Sequence, residues 1–285
     1  MKLLTWNIQW GRGADGVVDL DRIVSHARRV ADFDVLCVQE VSAGYPELAG
    51  SDGSDQFAAL AQRLPGYTAV EGVATDTPHQ AGARRRFGNM IFSRLPVGPV
   101  FRHLLPWPAD PAVPSMQRVA IEATLTTPAG LLRVTTTHLK YYSVLQRATQ
   151  VERLRDLHRE ATAHATQMRP GSADEGPFER VPRAAPSLLV GDFNFKPDAA
   201  ERLRLLSPID SATPPYRDAW ELLHPGMPHP PTVGVHDQVQ WPGPPFTWDF
   251  VFVSADLAPR VRAVQVDLVS DASDHQPVLA RLDIA

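Results

Sequence analysis

The sequence predicts an α/β protein in one domain, residues 1–285, with two packed β-sheets and helices outside them. Three observations predict it. Roughly the first 40 residues read strand, helix, strand, which is a crossover unit. The middle of the chain reads as consecutive strands broken by glycine and proline. No linker divides the chain into self-sufficient halves, and polar clusters at strand ends run from residue 7 to residue 275. Many strands in mixed order with few helices pack as two sheets with helices on the outer faces.

Lys2 to Ile8 reads as the first strand. Asp19 to Ala31 has helical spacing, with Leu20, Ile23, Val24, Ala27 and Val30 on one face. Asp19 is placed to cap it by accepting from the free N–H groups of the first turn. Asp34 to Glu40 is a short buried strand, and Gln56 to Leu64 a second helix. Tyr67 to Val73, Asn89 to Ser93, Val119 to Thr126 and Leu131 to His138 read as strands, separated by signals such as Pro96, Gly98 and Pro128-Ala129-Gly130. Gln146 to Ala165 is an amphipathic helix with Val151, Leu154, Leu157 and Ala161 on one stripe. Arg169 to Pro186 and His224 to Pro245 read as Pro-rich loops. Ser187 to Val190, Thr247 to Ser254, Ala263 to Asp267 and Val278 to Leu282 complete the strands.

Bulk properties exclude several classes. The 285 residues carry a net charge of -4, which argues against non-specific coating of nucleic acid. Cys37 is the single cysteine, so the chain forms no internal disulfide and no cysteine-based zinc cluster. No apolar run reaches the roughly 18 residues of a membrane span. Met1-Lys2 leads straight into a strand pattern with no signal peptide, so a cytoplasmic protein is expected.

Chemistry-bearing residues gather at strand ends. Glu40 ends an apolar strand and is either a metal ligand or the first solvated residue beyond it. Asp192 and Asn194 follow another strand; if its geometry persists, both side chains share a face. Gly191 lets the backbone bend there or another group approach closely. Asp249 is a carboxylate inside a strand pattern, costly unless paired or exposed. His275 is the natural partner, since a carboxylate would hold its imidazole in one tautomer; otherwise Asp249 faces solvent on an edge strand. His138 ends a further strand. Hard oxygen donors without cysteine suit Mg²⁺, with Mn²⁺ as a substitute. With a His–Asp pair beside them, these are the parts of metal-assisted phosphoester hydrolysis.

Trp6-Asn7, Gln39-Glu40, Gly88-Asn89, Thr137-His138-Leu139, Gly191-Asp192-Phe193-Asn194, Trp248-Asp249-Phe250 and Ser273-Asp274-His275 occur in this order. In this the chain resembles the endonuclease/exonuclease/phosphatase superfamily over essentially its whole length. That group includes DNase I-like nucleases, abasic-site endonucleases, inositol polyphosphate 5-phosphatases and neutral sphingomyelinases. The resemblance implies a four-layer α/β/β/α sandwich of two mixed sheets flanked by helices. It also implies roles. Glu40 is the principal metal ligand, with Asn7 and Asp274 near the metal. Asp192 orients or activates the attacking water, and Asn194 stabilises the transition state. His275, paired with Asp249, contacts the scissile phosphate or acts as the base. His138 is a second phosphate-side histidine. Whether Asp192 or His275 is the base stays open.

Two departures bear on substrate. Abasic-site enzymes of the family typically carry a Tyr where His138 stands. They also follow the first Asn with an Asn-Gly-x-Arg type run, where this chain has Ile8-Gln9-Trp10-Gly11-Arg12. The inositol 5-phosphatase signatures are not evident. Arg84, Arg85 and Arg86 are expected on a flexible loop before the Asn89 strand, where they either hold flanking phosphates or are simply solvated. Trp10, Trp107 and Trp241 either stack on a base or cover the sandwich edge. Lys140-Tyr141-Tyr142, after His138, is a further candidate for phosphate contact. The leading expectation is a metal-dependent phosphodiesterase, foremost a nuclease, acting as a monomer. The alternatives are a phosphatase or phospholipase-C-like diesterase for a small or lipid phosphoester, and a catalytically silent binding protein. The last is disfavoured because every expected catalytic position is filled.

Overall fold

The computed structural model describes residues 1–79, 82–166, 176 and 181–284. The first sheet is built from β1 (Lys2–Asn7), β2 (Val35–Ala43), β3 (Thr68–Pro78), β4 (Arg84–Ser93), β11 (Val261–Val266) and β12 (Val278–Leu282), in the order β11-β12-β1-β2-β4-β3. The second holds β5 (Val97–Leu104), β6 (Val119–Thr127), β7 (Gly130–His138), β8 (Ser187–Asp192), β9 (Tyr216–Asp218) and β10 (Asp249–Ser254), in the order β5-β6-β7-β8-β10-β9. Both are mixed: β1 with β2 and β7 with β8 are parallel, and the other pairs are antiparallel.

Three apolar cores separate four layers. Between the sheets, Leu3, Cys37 and Ile91 of the first meet Ile121, Val134, Val190 and Val251 of the second. Outside the first sheet, α1 (Leu20–Val30) and α2 (Gln56–Arg63) bury Ile23, Ala27, Phe57 and Leu60 on Leu4, Trp6, Leu36 and Phe92. Outside the second, α3 (Val144–Thr166) and α4 (Ala200–Leu206) bury Val151, Leu154, Leu157 and Leu205 on Ala120, Leu189, Phe250 and Phe252. Strand side chains alternate faces, so one strand feeds two cores: Leu3 and Cys37 point inward, Leu4 and Leu36 outward. Asp19 caps α1 as expected, accepting from the Arg22 N–H at 3.0 Å, a contact worth about 1 kcal/mol.

The differences from the sequence reading are local. Pro96 falls in the short connection between β4 and β5 and separates strands as expected, but Gly98 punctuates no loop, because Val97–Leu104 is a strand. β5 is an edge strand whose register slips between Val97 and Val100, where Gly98 and Pro99 fall. No outer neighbour needs the N–H that Pro99 lacks. The short elements α4, β9 and α5 (Ala219–Leu223) were not expected; each is too short to show a period. Of the loop expected at Arg169 to Pro186, residues 169–175 and 177–180 lie outside the described residues.

The arginine triplet requires a correction. Arg84, Arg85 and Arg86 are not on a loop. They open β4, where they pair with Pro78, Thr77 and Asp76 of β3. Each guanidinium faces an acid: Arg84 with Asp76 at 2.6 Å, Arg85 with Glu47, and Arg86 with Asp55 and Glu71.

Candidate active site

Parallel strands that share a direction deliver their ends to one rim. Asn7 ends β1, and His138 and Asp192, in direct register, end β7 and β8. Asp249 opens β10 opposite Asp192. Asp274 and His275 come just before β12.

Glu40 reaches this rim through a bulge. Val38 pairs with Met90 and Val41 with Gly88, so Gln39 and Glu40 together face Asn89. The extra residue turns Glu40 into the left-handed region, at φ 62°. Such bulges re-aim a side chain at the cost of local strain. Gly191 has an equally specific reason. Its φ is 135°, and a Cβ there would stand 2.0 Å from the Thr137 carbonyl oxygen. Only glycine lets β8 lie this close to β7. Asn194, at φ 52°, leaves the strand geometry, so it does not simply share a face with Asp192 as strand alternation would have it. Its backbone N–H donates to Asp192 Oδ1 at 2.9 Å and its side-chain amide to the Leu139 carbonyl at 3.0 Å.

The side chains meet around Asp192. Asn7 Nδ2 donates to Asp192 Oδ2 at 2.9 Å and to Glu40 Oε1 at 3.2 Å. His138 Nε2 stands 3.2 Å from Asp192 Oδ2, and His275 Nε2 stands 3.8 Å from it. His275 Nδ1 bonds Asp249 Oδ2 at 2.8 Å, so the two residues that the sequence sets opposite each other meet; β10 is an interior strand, not an edge. Asp274 Oδ2 accepts from Gln240 Nε2 at 3.0 Å and from Trp241 Nε1 at 2.9 Å. The turn carrying it is stapled to β1, with Ser273 Oγ donating to the Asn7 carbonyl and Trp6 Nε1 to the His275 carbonyl. Asn89 is buried at the same rim, and its amide donates to the Val119 carbonyl at 3.2 Å, linking the two sheets.

The two histidines are driven to opposite charge states. Burial opposes charge on His275, but Asp249, Asp274 and Asp192 outweigh it and hold its pKa well above the usual imidazole value. Burial, then Arg118 and His275, push His138 well below that value. Arg118 is an obligate donor, and its Nη1 lies 3.1 Å from His138 Nδ1. The single proton of neutral His138 is therefore on Nε2, facing Asp192. Burial raises Asp192 to about 7 against the opposing pull of His275. Burial, reinforced by Asp274, raises Glu40 as well.

Arg118 is the principal residue that sequence reasoning missed. It sits one residue before β6, where only its position ahead of an apolar run could have marked it. It is buried, and burial lowers its pKa below the usual guanidinium value, against the opposing pull of Glu40 and Asp192. Gln240 was missed too, since it lies inside a loop without periodicity. Among the three tryptophans singled out, Trp241 reaches the site; Trp10 Nε1 turns to the Ala49 carbonyl and Trp107 Nε1 to Ser115 Oγ.

The residues present fit a divalent cation. Glu40, Asp274 and Asp192 crowd one rim, and the burial-raised pKa of Glu40 records the cost of leaving its charge unbalanced. Glu40 has one donor, Asn7, on one oxygen. All the donors are hard oxygens, as Mg²⁺ or Mn²⁺ requires. A different trio, Asp218, Glu221 and His229, has its ligand atoms within 4.8 Å of one another. There Arg202 already supplies the cation, at 2.8 Å from Asp218 and 2.6 Å from Glu221.

Comparison with known proteins agrees with this geometry. Residues 4–275 match the model of the "Endonuclease/Exonuclease/phosphatase family". No curated protein matches the chain. Among solved structures, an endonuclease/exonuclease/phosphatase from Beutenbergia cavernae DSM 12333 is 25% identical, with 99% of this chain and 71% of that one covered and a TM-score of 0.61. One from Bacteroides vulgatus is 19% identical, with 99% and 98% covered and a TM-score of 0.68. The human Nocturnin catalytic domain with bound sulfate anion is 20% identical, with 98% and 92% covered and a TM-score of 0.60. The fold is the DNase I-like sandwich of these neighbours, and the chain belongs to the endonuclease/exonuclease/phosphatase family of phosphoester hydrolases.

Proposed function

We propose that this chain is a divalent-metal-dependent phosphodiesterase that cleaves a P–O bond by in-line attack of water. The observation that carries the reading is the pairing of two buried histidines of opposite charge state around Asp192. A base must be within reach of its proton and have a pKa near the working pH. Asp192, at about 7, meets the second condition. His275, held as the imidazolium by Asp249 and its neighbours, carries its proton already, which favours Asp192 as the base. His275 Nε2–H and the Arg118 guanidinium then supply fixed positive charge where the phosphoryl oxygens become more negative. Neutral His138 holds its Nε2–H toward Asp192 and orients that carboxylate. Asn194 steadies the strand exit that places it, and its amide retains one N–H beyond the bond to Leu139.

Glu40, with Asn7 and Asp274 beside it, would hold Mg²⁺ or, as a substitute, Mn²⁺. When bound, the ion offsets charge on a phosphoryl oxygen and on the leaving oxygen. The chain acts in this reading as one domain without a protein partner.

A second reading, a phosphatase or phospholipase-C-like enzyme for a small or lipid phosphoester, has one observation in its favour. Arg84, Arg85 and Arg86 are neutralised by acids, so the cations expected to track a polynucleotide are spoken for.

Hydrolysis should be measured on DNA, RNA, inositol phosphates, sphingomyelin and bis-p-nitrophenyl phosphate, in Mg²⁺, Mn²⁺ or EDTA. We expect metal-dependent diester cleavage, abolished by EDTA and lowered about a thousandfold in Glu40→Ala with the fold retained. Near-normal turnover in that variant would remove Glu40 from the metal site. Cleavage confined to inositol phosphates or to sphingomyelin, with DNA and RNA untouched, would transfer the chain to the second reading.

A further inference from the structure

Beside His275 stands a wall of aromatic rings. Trp248 lies 6.3 Å from the His275 ring, centroid to centroid, and 4.6 Å from Phe246. Trp241 lies 5.1 Å from Trp248 and 5.7 Å from Phe246, and Tyr141 lies 5.2 Å from Trp248. Trp241, Phe246 and Trp248 meet edge to face, an arrangement that does not stack their broad faces on one another. Trp248 is buried, Trp241 and Phe246 are half-buried, and Tyr141 is exposed. Tyr142, 4.6 Å from Tyr141, extends the wall outward.

Two ammonium groups flank it. Lys140 Nζ is 5.3 Å from the Tyr142 ring and Lys196 Nζ is 5.9 Å from the Phe246 ring. Beyond Phe246 the surface opens into a hollow of about 900 Å³, lined also by Lys196, Met227 and His229. The wall therefore runs from the reacting groups to a space large enough for a substrate arm.

We propose that this wall is a subsite for a planar aromatic group on the substrate, a nucleobase joined through its sugar to the reacting phosphate. The proposal rests on the phosphodiesterase reading above and names its substrate class. Rings flanked by cations suit a base and its flanking phosphate, because stacking serves the π-face and the ammonium serves the charge. A lipid chain needs an apolar trough free of charge, whereas this wall has an ammonium beside Tyr142 and another beside Phe246. A polyphosphorylated sugar needs several free cations close together, and the arginine triplet is already paired.

The test compares two diesters of equal charge: thymidylyl-3′,5′-thymidine and its analogue with both bases replaced by hydrogen. We expect kcat/KM to favour the base-bearing diester by roughly tenfold or more. The preference should shrink toward unity in Phe246→Leu and in Tyr141→Leu, two partly exposed positions, with circular dichroism checking the fold. In parallel, thymidine 5′-monophosphate should quench tryptophan fluorescence at concentrations where deoxyribose 5-phosphate does not. Equal cleavage of the two diesters would overturn the subsite and leave the diesterase standing. Cleavage of neither would overturn the diesterase reading. The fluorescence titration would then decide the subsite alone, and equal binding of the two monophosphates would sink it.

Discussion

At the scale of single residues, the site depends on donors that come from far along the chain. Trp241 shows this best. Its indole N–H donates to Asp274 Oδ2 while its ring stands in the aromatic wall. Trp241→Phe keeps a ring and deletes the donor, so its effect falls on the carboxylate. Partners that orient a ligating group are typically worth about 10–100-fold in metal affinity. We expect Mn²⁺ binding, followed by calorimetry, to weaken by roughly tenfold in Trp241→Phe, with the melting temperature little changed. Unchanged affinity would mean that Gln240 suffices to hold Asp274. The candidate residues that meet at the rim were legible in the sequence, because each stands at or beside the end of an apolar run. Arg118 and Gln240 were not, since each acts through a neighbour distant in sequence and leaves no local pattern.

At the scale of elements, the strand ends set the geometry. The contact of β8 with β7 at Gly191 puts Asp192 in register with His138 on one side and with Asp249 on the other. Gly191→Ala introduces a Cβ 2.0 Å from backbone and a strained φ. Backbone cannot yield as a flexible side chain can, so we expect a loss of roughly 3 kcal/mol in urea unfolding. Activity should fall further than stability alone explains, because the Asp192–His138 register is displaced. A variant with wild-type stability and turnover would show that the strands can separate there at little cost. The long helices and most strands were legible from periodicity and capping. The bulge at Gln39 and Glu40 was not, because it is a property of the β2–β4 pairing. Nor was β5, whose Gly98 and Pro99 mimic a loop until its position at a sheet edge is known.

At the scale of the whole molecule, buried polar networks brace the outer face of the second sheet. Glu122 receives both arms of Arg183, at 3.0 and 2.9 Å, and sits near Arg133. Arg133 in turn donates to His158 Nδ1, and His158 Nε2–H donates to the Pro214 carbonyl. The Arg133 contact requires neutral His158, because Nδ1 must accept, whereas the bond to Pro214 survives protonation. Burial, then Arg133, lower its pKa to about 4. The unfolded chain takes up this proton near 6.5 and the folded one only near 4. Between those values the unfolded state binds more protons, so the contribution is complete above pH 6.5 and is lost as pH falls toward 4. The span corresponds to roughly 3 kcal/mol. Thermal unfolding from pH 7 to pH 4 should show the melting temperature falling through this window, with a shallower slope in His158→Gln. Identical slopes would assign the acid sensitivity to other groups, such as His138.

By itself the sequence determined the layers and which residues arrive at the rim, because hydrophobic period and strand-end position are local properties of the chain. It also offered His275 as the partner of Asp249, with a solvent-facing edge position as the alternative, and the structure decided between them by placing β10 inside the sheet. The tertiary structure alone decided what those residues can do. It set His138 neutral through burial, Arg118 and His275, and His275 charged, against burial, through Asp249, Asp274 and Asp192. It gave Arg84, Arg85 and Arg86 an acidic partner each and placed them on a strand. It brought Tyr141, from the loop after β7, against Trp241 and Trp248 of the loop before β10, with Phe246 beside them. Charge state, free valence and ring stacking are through-space quantities, and they come into being only once the chain has folded.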